Sequence, residues 1–375
     1  MTRDFTSVAD LADGEILRLL DAAAAFERDV RRHSGARLGT LMATLFLEPS
    51  TRTRLSFEAA MHRLGGRVIT SADPKSSSSS KGETLADTVR MVDGYADLIV
   101  LRHPAAGAAR LAADRARRPV INAGDGGREH PSQTLVDLYT LREHFERLDG
   151  LKVALYGDLK YGRTTHSLAE ALVRFGAEVY GVCEPGLELP EATANVATED
   201  YGATTGEATL TGAEDLFGPA PLRVRTLARR GAPDRLAAKD FRFDVLYATR
   251  VQAERLPEGA SARRLLPTVD RRLLDHPLWS EAVVLHPLPR VGEIDPAVDE
   301  DSRALYFRQA EAGVPVRMAL LDAVLDGDRP WTRAAPPPRP DPGFRCGKTG
   351  CITAQEPADP LVSADGRRCG YCDRA

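Results

Sequence analysis

The chain holds no run of about 18 apolar residues, the length a helix needs to cross a bilayer, so no membrane span is expected. It has no surplus of basic charge either. Lys and Arg number 50 against 54 Asp and Glu, a net charge of -4 that argues against a dedicated nucleic-acid binder. No internal repeat at solenoid periods is visible. The turn Gly157-Asp158…Gly162-Arg163 lacks G-x-G-x-x-G, which sets aside a dinucleotide-dependent oxidoreductase. The first residues, MTRDFTSVADLADGE, carry acids early and no apolar segment, so no secretory signal is expected and the cytoplasm is the expected compartment. Cysteine is scarce, with five in 375 residues. Four of them nevertheless cluster near the C-terminus as C-x4-C…C-x2-C, which without an export signal reads as a metal site before it reads as disulfides.

What is present suits a folded enzyme of two domains: 43% hydrophobic and 28% charged residues. Strand-like and helix-like segments alternate. Residues 40–47 (TLMATLFL) form a continuous apolar run, expected of a strand covered on both faces. Ser50 follows as a helix N-cap candidate, and Phe57, Ala60, Met61 and Leu64 recur at helical spacing up to Gly65-Gly66. Further strands are expected at 96–101, 119–122, 152–156, 178–182, 244–249 and 282–285, and helices at 133–145, 163–175 and 302–325. Residues 202–239, rich in Gly, Pro and Arg, read as a long irregular excursion. Five serines at 76–80 read as a mobile loop. The proline-rich stretch 334–343 reads as an extended linker.

Four polar constellations stand at strand ends or helix starts, where α/β sheets bind their ligands. Ser50, Thr51, Arg52 and Thr53 open a helix, and helix N-termini bind phosphate through unpaired N–H groups and the dipole. An ordinary capped helix with solvated arginines has the same look. Arg102-His103-Pro104, His130-Pro131-Ser132-Gln133 and His286-Pro287-Leu288-Pro289-Arg290 repeat the arrangement, and four together imply one shared cleft. Lys81 behind its serines is either a solvated loop residue or part of a lid. Guanidinium forks match carboxylates and phosphates, so the expected ligands are anions. An acidic chain must concentrate its arginines locally to attract them.

The strings FLEPSTRTRLSFEAAMHRLG, KGETLADT, RHP, HPSQTLVDL, GDLKYGRTTHSL, TRVQAER and HPLPR, in this order, resemble the aspartate carbamoyltransferase catalytic chain over most of residues 5–327. The resemblance implies a transferase joining carbamoyl phosphate to L-aspartate in pyrimidine biosynthesis, with no cofactor for catalysis. Ser50, Thr51, Arg52 and Thr53 would hold the phosphate, and Arg102, His130 and Gln133 the carbamoyl group. The backbone carbonyls of Pro287 and Leu288 would accept from the carbamoyl NH2. Arg163, Arg250 and Gln252 would grip the aspartate carboxylates. Lys81 and Ser77 would come from a neighbouring subunit of a homotrimer with shared active sites. Ornithine carbamoyltransferases typically carry H-C-L-P where this chain has Pro287, which favours aspartate. Another amino acceptor, or a non-catalytic scaffold subunit, are the alternatives.

The expected fold is α/β: two three-layer αβα domains with parallel sheets, plus a small C-terminal zinc-binding tail. The divisions are 1–148 for carbamoyl phosphate (with helices 302–327 packing back on it), 149–301 for aspartate, 328–345 as linker and 346–375 as tail. Cys346, Cys351, Cys369 and Cys372 suit a tetrahedral zinc thiolate site, since so short a segment cannot build a core without a staple. The strings CGKTGCITAQEP and CGYCDRA resemble the zinc-binding portion of the separate regulatory chain of that enzyme. The resemblance implies a structural zinc that braces subunit contacts, with no direct response to CTP or ATP. A separate regulatory or pyrimidine-pathway subunit stays open as a partner.

Overall fold

The computed structural model describes residues 4–72, 82–218, 222–252, 266–326, 331–332, 337–363 and 366–372. The chain divides into two units. Unit 1 comprises Met1–Tyr139 and Ala312–Ala375, and unit 2 comprises Thr140–Glu311. Among the described residues no helix is long and apolar enough to cross a membrane.

Unit 1 begins with α1 (Asp13–Arg28) and then alternates: β1 (Leu41–Phe46), α2 (Thr51–Arg63), β2 (Arg67–Ser71), α3 (Leu85–Asp93), β3 (Leu98–His103), α4 (Ala108–Arg115), β4 (Val120–Asp125) and the start of α5 (Pro131–Phe145). The four strands are parallel, in the order β2-β1-β3-β4. β1, β3 and β4 are buried along almost their whole length, which is why they read as unbroken apolar runs. β2 lies at the sheet edge and is mostly exposed, so its sequence RVITS carries no such run and gives no strand signal.

Unit 2 contains β5 (Lys152–Gly157), α6 (Arg163–Arg174), β6 (Glu178–Val182), α7 (Glu191–Tyr201), β7 (Thr204–Thr211), α8 (Glu214–Phe217), β8 (Leu222–Ala228), β9 (Arg235–Ala237), β10 (Val245–Thr249), α9 (Arg271–Asp275) and β11 (Val283–Leu285). Its seven-stranded sheet has the order β11-β10-β5-β6-β8-β7-β9. The first four strands are parallel, while β8 runs antiparallel to both β6 and β7. The expected α/β fold with parallel sheets is therefore the observed one, extended in unit 2 by antiparallel strands. The irregular excursion expected over 202–239 is corrected by this sheet: β7, β8 and β9 belong to it. Antiparallel strands at a sheet margin need bury only one face, and β7 is exposed through residues 204–207, so no apolar run marks it. The core beneath is aromatic, with Trp279 stacked on Phe243 at 4.6 Å and Tyr156 edge-on to Trp279 at 6.2 Å.

The chain completes unit 1 with α10 (Tyr306–Leu325), whose last part belongs there, and with the short antiparallel pair β12 (Arg339–Pro340) and β13 (Leu361–Val362). Arg317 of α10 is buried over the ring of Phe57 in α2, 5.0 Å from its centroid, which fixes the helix that carries the S-T-R-T turn. Burial pushes the Arg317 guanidinium down to about 10.

Candidate active site and metal centre

In unit 1 the predicted residues lie at the carboxyl ends of β1, β3 and β4, three consecutive neighbours in one sheet: Ser50–Thr53, Arg102 and His130. In unit 2 they follow β11, β10 and β5, again three consecutive neighbours: Pro287 and Leu288, Arg250 and Gln252, and Arg163. Carboxyl ends of adjacent parallel strands open on the same side of a sheet, where α/β folds take their ligands.

Ser50 occupies the N-cap position of α2 with an extended backbone (φ -161°), but its side chain makes no capping hydrogen bond. The hydroxyl read from sequence as a cap is thus not spent on the helix. The N–H groups of Thr51, Arg52 and Thr53 have no intrahelical acceptor by helix geometry. Thr51 and Arg52 are exposed, whereas Thr53 is buried with Oγ1 3.2 Å from Nε2 of His130. The other ring nitrogen of His130 lies 3.4 Å from Ser132 Oγ. Gln133 donates its backbone N–H to the His130 carbonyl at 2.9 Å and its side-chain Nε2 to Asp137 at 2.8 Å. That second bond uses the amide's donor end and leaves Oε1 as the acceptor end. Arg102 is buried; its Nη1 donates to the carbonyl of Ala123 at 3.2 Å and its Nε lies 3.4 Å from Glu48.

In unit 2, β5 and β10 approach so closely that a Cβ on Gly157 (φ +121°) would sit 2.3 Å from the carbonyl oxygen of Thr249, so only glycine fits there. Asp158, fully buried, joins the two following turns. Its Oδ1 accepts the N–H of Tyr161 at 3.0 Å and its Oδ2 the N–H of Gln252 at 2.9 Å. Arg163 opens α6 and is buried, while Arg250 is half-buried with Nη1 3.3 Å from the Val251 carbonyl. Gln252 donates Nε2 to the Arg250 carbonyl at 3.3 Å. After β11, the N–H of Leu288 donates to Nδ1 of His286 at 2.8 Å, and the Leu288–Pro289 bond is cis. Lys81 and Ser77 lie outside the described residues.

Sequence reasoning passed over four acids: Glu48, Asp137, Asp158 and Glu293. Each holds a basic or amide group of the predicted set, or the loop that carries one. For Glu48 and Asp137 a signal was available, since an acid inside or beside an arginine- and histidine-rich motif is more readily explained as a holder of that motif than as another anion site.

The tail builds a separate centre. Among the described residues the Sγ atoms of Cys346, Cys351, Cys369 and Cys372 all lie within 4.8 Å of one another, and three of the four residues are buried. Cys346 and Cys372 are 3.7 Å apart and Cys351 and Cys369 4.0 Å. Tetrahedral zinc with Zn–S bonds of about 2.3 Å requires sulfurs about 3.8 Å apart, so the four residues fit the ion. Hydrogen bonding from Cys369 holds the Cys351 thiol low, and the same crowding drives Cys372 up, so without a cation the cluster cannot carry its full set of thiolates. The tail rests on its own unit. Ile352 and Tyr371 enter the core formed by residues of α3, β3 and α4. Ile352 donates its N–H to the Ala106 carbonyl at 2.9 Å, and Ala106 donates its own N–H to the Gly350 carbonyl at 2.9 Å. A Cβ on Gly107 (φ +85°) would sit 2.5 Å from that of Tyr371.

Two family models match the chain. The carbamoyl-P binding domain of aspartate/ornithine carbamoyltransferase matches residues 3–143 and the Asp/Orn binding domain residues 235–324, the latter ending before the cysteine tail. The aspartate carbamoyltransferase catalytic subunit of Methanopyrus kandleri is 47% identical over 328 residues, 87% of this chain and 98% of that protein. Among solved structures, the catalytic subunit of M. jannaschii aspartate transcarbamoylase superposes with a TM-score of 0.70 at 41% identity, covering 87% of this chain and 99% of that one. Aspartate transcarbamoylase from Trypanosoma cruzi in complex with carbamoyl aspartate and phosphate gives a TM-score of 0.73 at 34% identity, covering 86% and 96%.

Proposed function

Because the chain belongs to the aspartate/ornithine carbamoyltransferase family, we propose that it transfers the carbamoyl group of carbamoyl phosphate to L-aspartate, as the first committed chemistry of pyrimidine synthesis. The observation that carries the reading is the burial of Thr53 against His130 at the mouth of the S-T-R-T turn, with Arg102 at the end of the neighbouring strand. The helix N-terminus with Ser50, Thr51, Arg52 and Thr53 holds the phosphate. Arg102 and His130 direct positive charge and donors at the carbonyl oxygen, and Gln133 offers Oε1 to the carbamoyl amide. Arg163 and Arg250, with Gln252, hold the two carboxylates of aspartate.

The reaction asks for little covalent help. The neutral α-amine of aspartate attacks the carbonyl carbon, the C–O bond to phosphate breaks, and the proton lost from the nitrogen leaves with the phosphate. Orientation of two bound anions supplies up to about 7–11 kcal/mol of the barrier reduction. Each donor aimed at the developing oxyanion adds about 3–4 kcal/mol. No protein nucleophile is needed.

Aspartate is favoured over ornithine because the group after β10 is cationic and Pro287 stands where ornithine enzymes place a cysteine. Phosphate release measured with aspartate, ornithine and related amines tests this. Turnover with aspartate alone is the expected result, and turnover with ornithine but not aspartate refutes the assignment.

The wider reading is that the chain works in the cytoplasm as a homotrimer, with Lys81 and Ser77 reaching a neighbour's site. Its four tail cysteines hold one structural zinc in a segment akin to the regulatory chain's zinc portion, and a separate regulatory or pathway subunit is a candidate partner. The tail's packing on its own unit supports a bracing role. The zinc supplies rigidity there, and no step of the transfer uses it.

A further inference from the structure

His286 and Glu293 form a buried pair behind the loop that follows β11, and the transfer steps above use neither side chain. His286 is 2% exposed and Glu293 5%. Nε2 of the ring lies 2.8 Å from Oε1 of the carboxylate, bent away from a linear hydrogen bond. Nδ1 accepts the backbone N–H of Leu288 at 2.8 Å. A ring nitrogen that accepts carries no proton, so the proton sits on Nε2, the nitrogen in close contact with Glu293. Glu293 is fixed in turn, because its Oε2 accepts the N–H of Val291 at 2.9 Å. The backbone of His286 is anchored from α10, where Gln309 accepts its N–H at 2.9 Å.

Between these fixed points Leu288 adopts φ +52°, a left-handed conformation that a leucine avoids. Such a conformation persists only where the surroundings over-determine it. The direction of one bond then matters. In a trans peptide the N–H and the preceding C=O point in opposite directions. Aiming the N–H of Leu288 at the imidazole therefore turns the Pro287 carbonyl oxygen away from it.

We propose that His286, oriented by Glu293, is a positioning residue that sets the direction of the Pro287 and Leu288 carbonyls which accept from the carbamoyl NH2. The inference rests on the carbamoyl-transfer reading above and extends it to two side chains that do not touch the substrate. It separates two parts of one ligand: the phosphate, held by the S-T-R-T turn, is indifferent to this pair, while the carbamoyl amide depends on it.

The test uses the full chain, first unaltered and then as His286→Leu, His286→Asn and Glu293→Gln. The readouts are KM and kcat for carbamoyl phosphate, competitive inhibition by inorganic phosphate, and the unfolding temperature. His286→Leu is expected to raise KM for carbamoyl phosphate or lower kcat by roughly ten- to a hundredfold, the range for a small misplacement of reacting groups. Inhibition by inorganic phosphate is expected to change less than about twofold. His286→Asn, whose Oδ1 takes the place of Nδ1 as acceptor, recovers most of that loss. Glu293→Gln, close in shape and fit to be made should the leucine variant not fold, gives an intermediate loss of roughly three- to tenfold. Equal weakening of phosphate and carbamoyl phosphate, or Leu and Gln variants both within twofold of the unaltered chain, overturns the proposal. Absence of carbamoyl transfer in the unaltered chain instead overturns the reading on which it rests.

Discussion

Asp158 places Oδ2 2.9 Å from the backbone nitrogen of Gln252, so one buried carboxylate ties the turn after β5 to the turn after β10. Its other oxygen accepts from Tyr161, two residues before Arg163. The two arginines expected to grip aspartate therefore share a backbone holder. Asp158→Asn keeps one acceptor oxygen but turns an amide donor toward an N–H donor. The expected outcome is a KM for aspartate raised about tenfold, equivalent to about 1.4 kcal/mol, with KM for carbamoyl phosphate nearly unchanged. Steady-state kinetics with each substrate varied checks this; equal changes in both constants would remove Asp158 from the carboxylate half.

Arg52 offers a cleaner test of the phosphate half than its buried neighbours. It is exposed at the first turn of α2, so truncation leaves no cavity in the core. Arg52→Ala is expected to lower turnover by on the order of 10²–10³ while the unfolding temperature stays within about 1 °C. His130→Ala, by contrast, removes a buried ring in contact with Thr53 and should lose both activity and stability. Near-normal turnover in Arg52→Ala would detach the S-T-R-T turn from the chemistry.

His103, next in sequence to Arg102, gives the stability a defined acid edge. Burial pushes its imidazole down to about 4, outweighing the pull of Glu48 in the other direction. Its Nδ1 accepts the N–H of Ala105 at 3.0 Å, a bond that needs the neutral ring. Above the unfolded value of about 6.5 both states are neutral and the contribution is complete. As the pH falls from about 6.5 to 4 the unfolded chain takes up a proton that the folded chain refuses, so stability declines. The full loss is on the order of 3 kcal/mol. Denaturant unfolding of the native chain and of His103→Asn across this window should show the flatter profile in the variant. Parallel profiles would show that His103 does not titrate on unfolding.

The sequence showed most of this architecture wherever burial was two-sided. β1, β3 and β4 announce themselves because both faces need apolar side chains, and the site follows from polar motifs placed at their ends. β2, β7 and β8 did not, since an edge or half-exposed strand satisfies its sheet with threonine, arginine and glycine. Asp158 and Glu293 escaped for another reason. What they do depends on a backbone N–H or a ring brought near by the turns, and periodicity carries no record of such contacts. The N-cap position read for Ser50 is the observed one, although its hydroxyl makes no capping bond.

Metal removal tests how the tail is held, because two kinds of force act on it. One is apolar: Ile352 and Tyr371 are buried against α3, β3 and α4, and each such side chain contributes about 1.5–3 kcal/mol. The other is the fold of the cysteine loops themselves, which a segment this small cannot maintain without an ion across its four sulfurs. Glu356 makes the two interdependent. Its carboxylate reaches the N–H groups of Leu85 and Ala86 at 2.5 and 3.4 Å, at the start of α3, where an anion is favoured by the helix dipole. If zinc shapes the loop that presents Glu356, chelation must loosen α3 as well as the tail. The purified chain is expected to carry one zinc per chain. Chelator, or Cys351→Ser, should lower the unfolding temperature by roughly 5 °C or more and speed amide exchange at Leu85 and Ala86. Glu356→Gln should reproduce the faster exchange while keeping the metal. A metal-free chain whose exchange at these two amides matches the untreated protein would mean that apolar docking alone holds the tail in place.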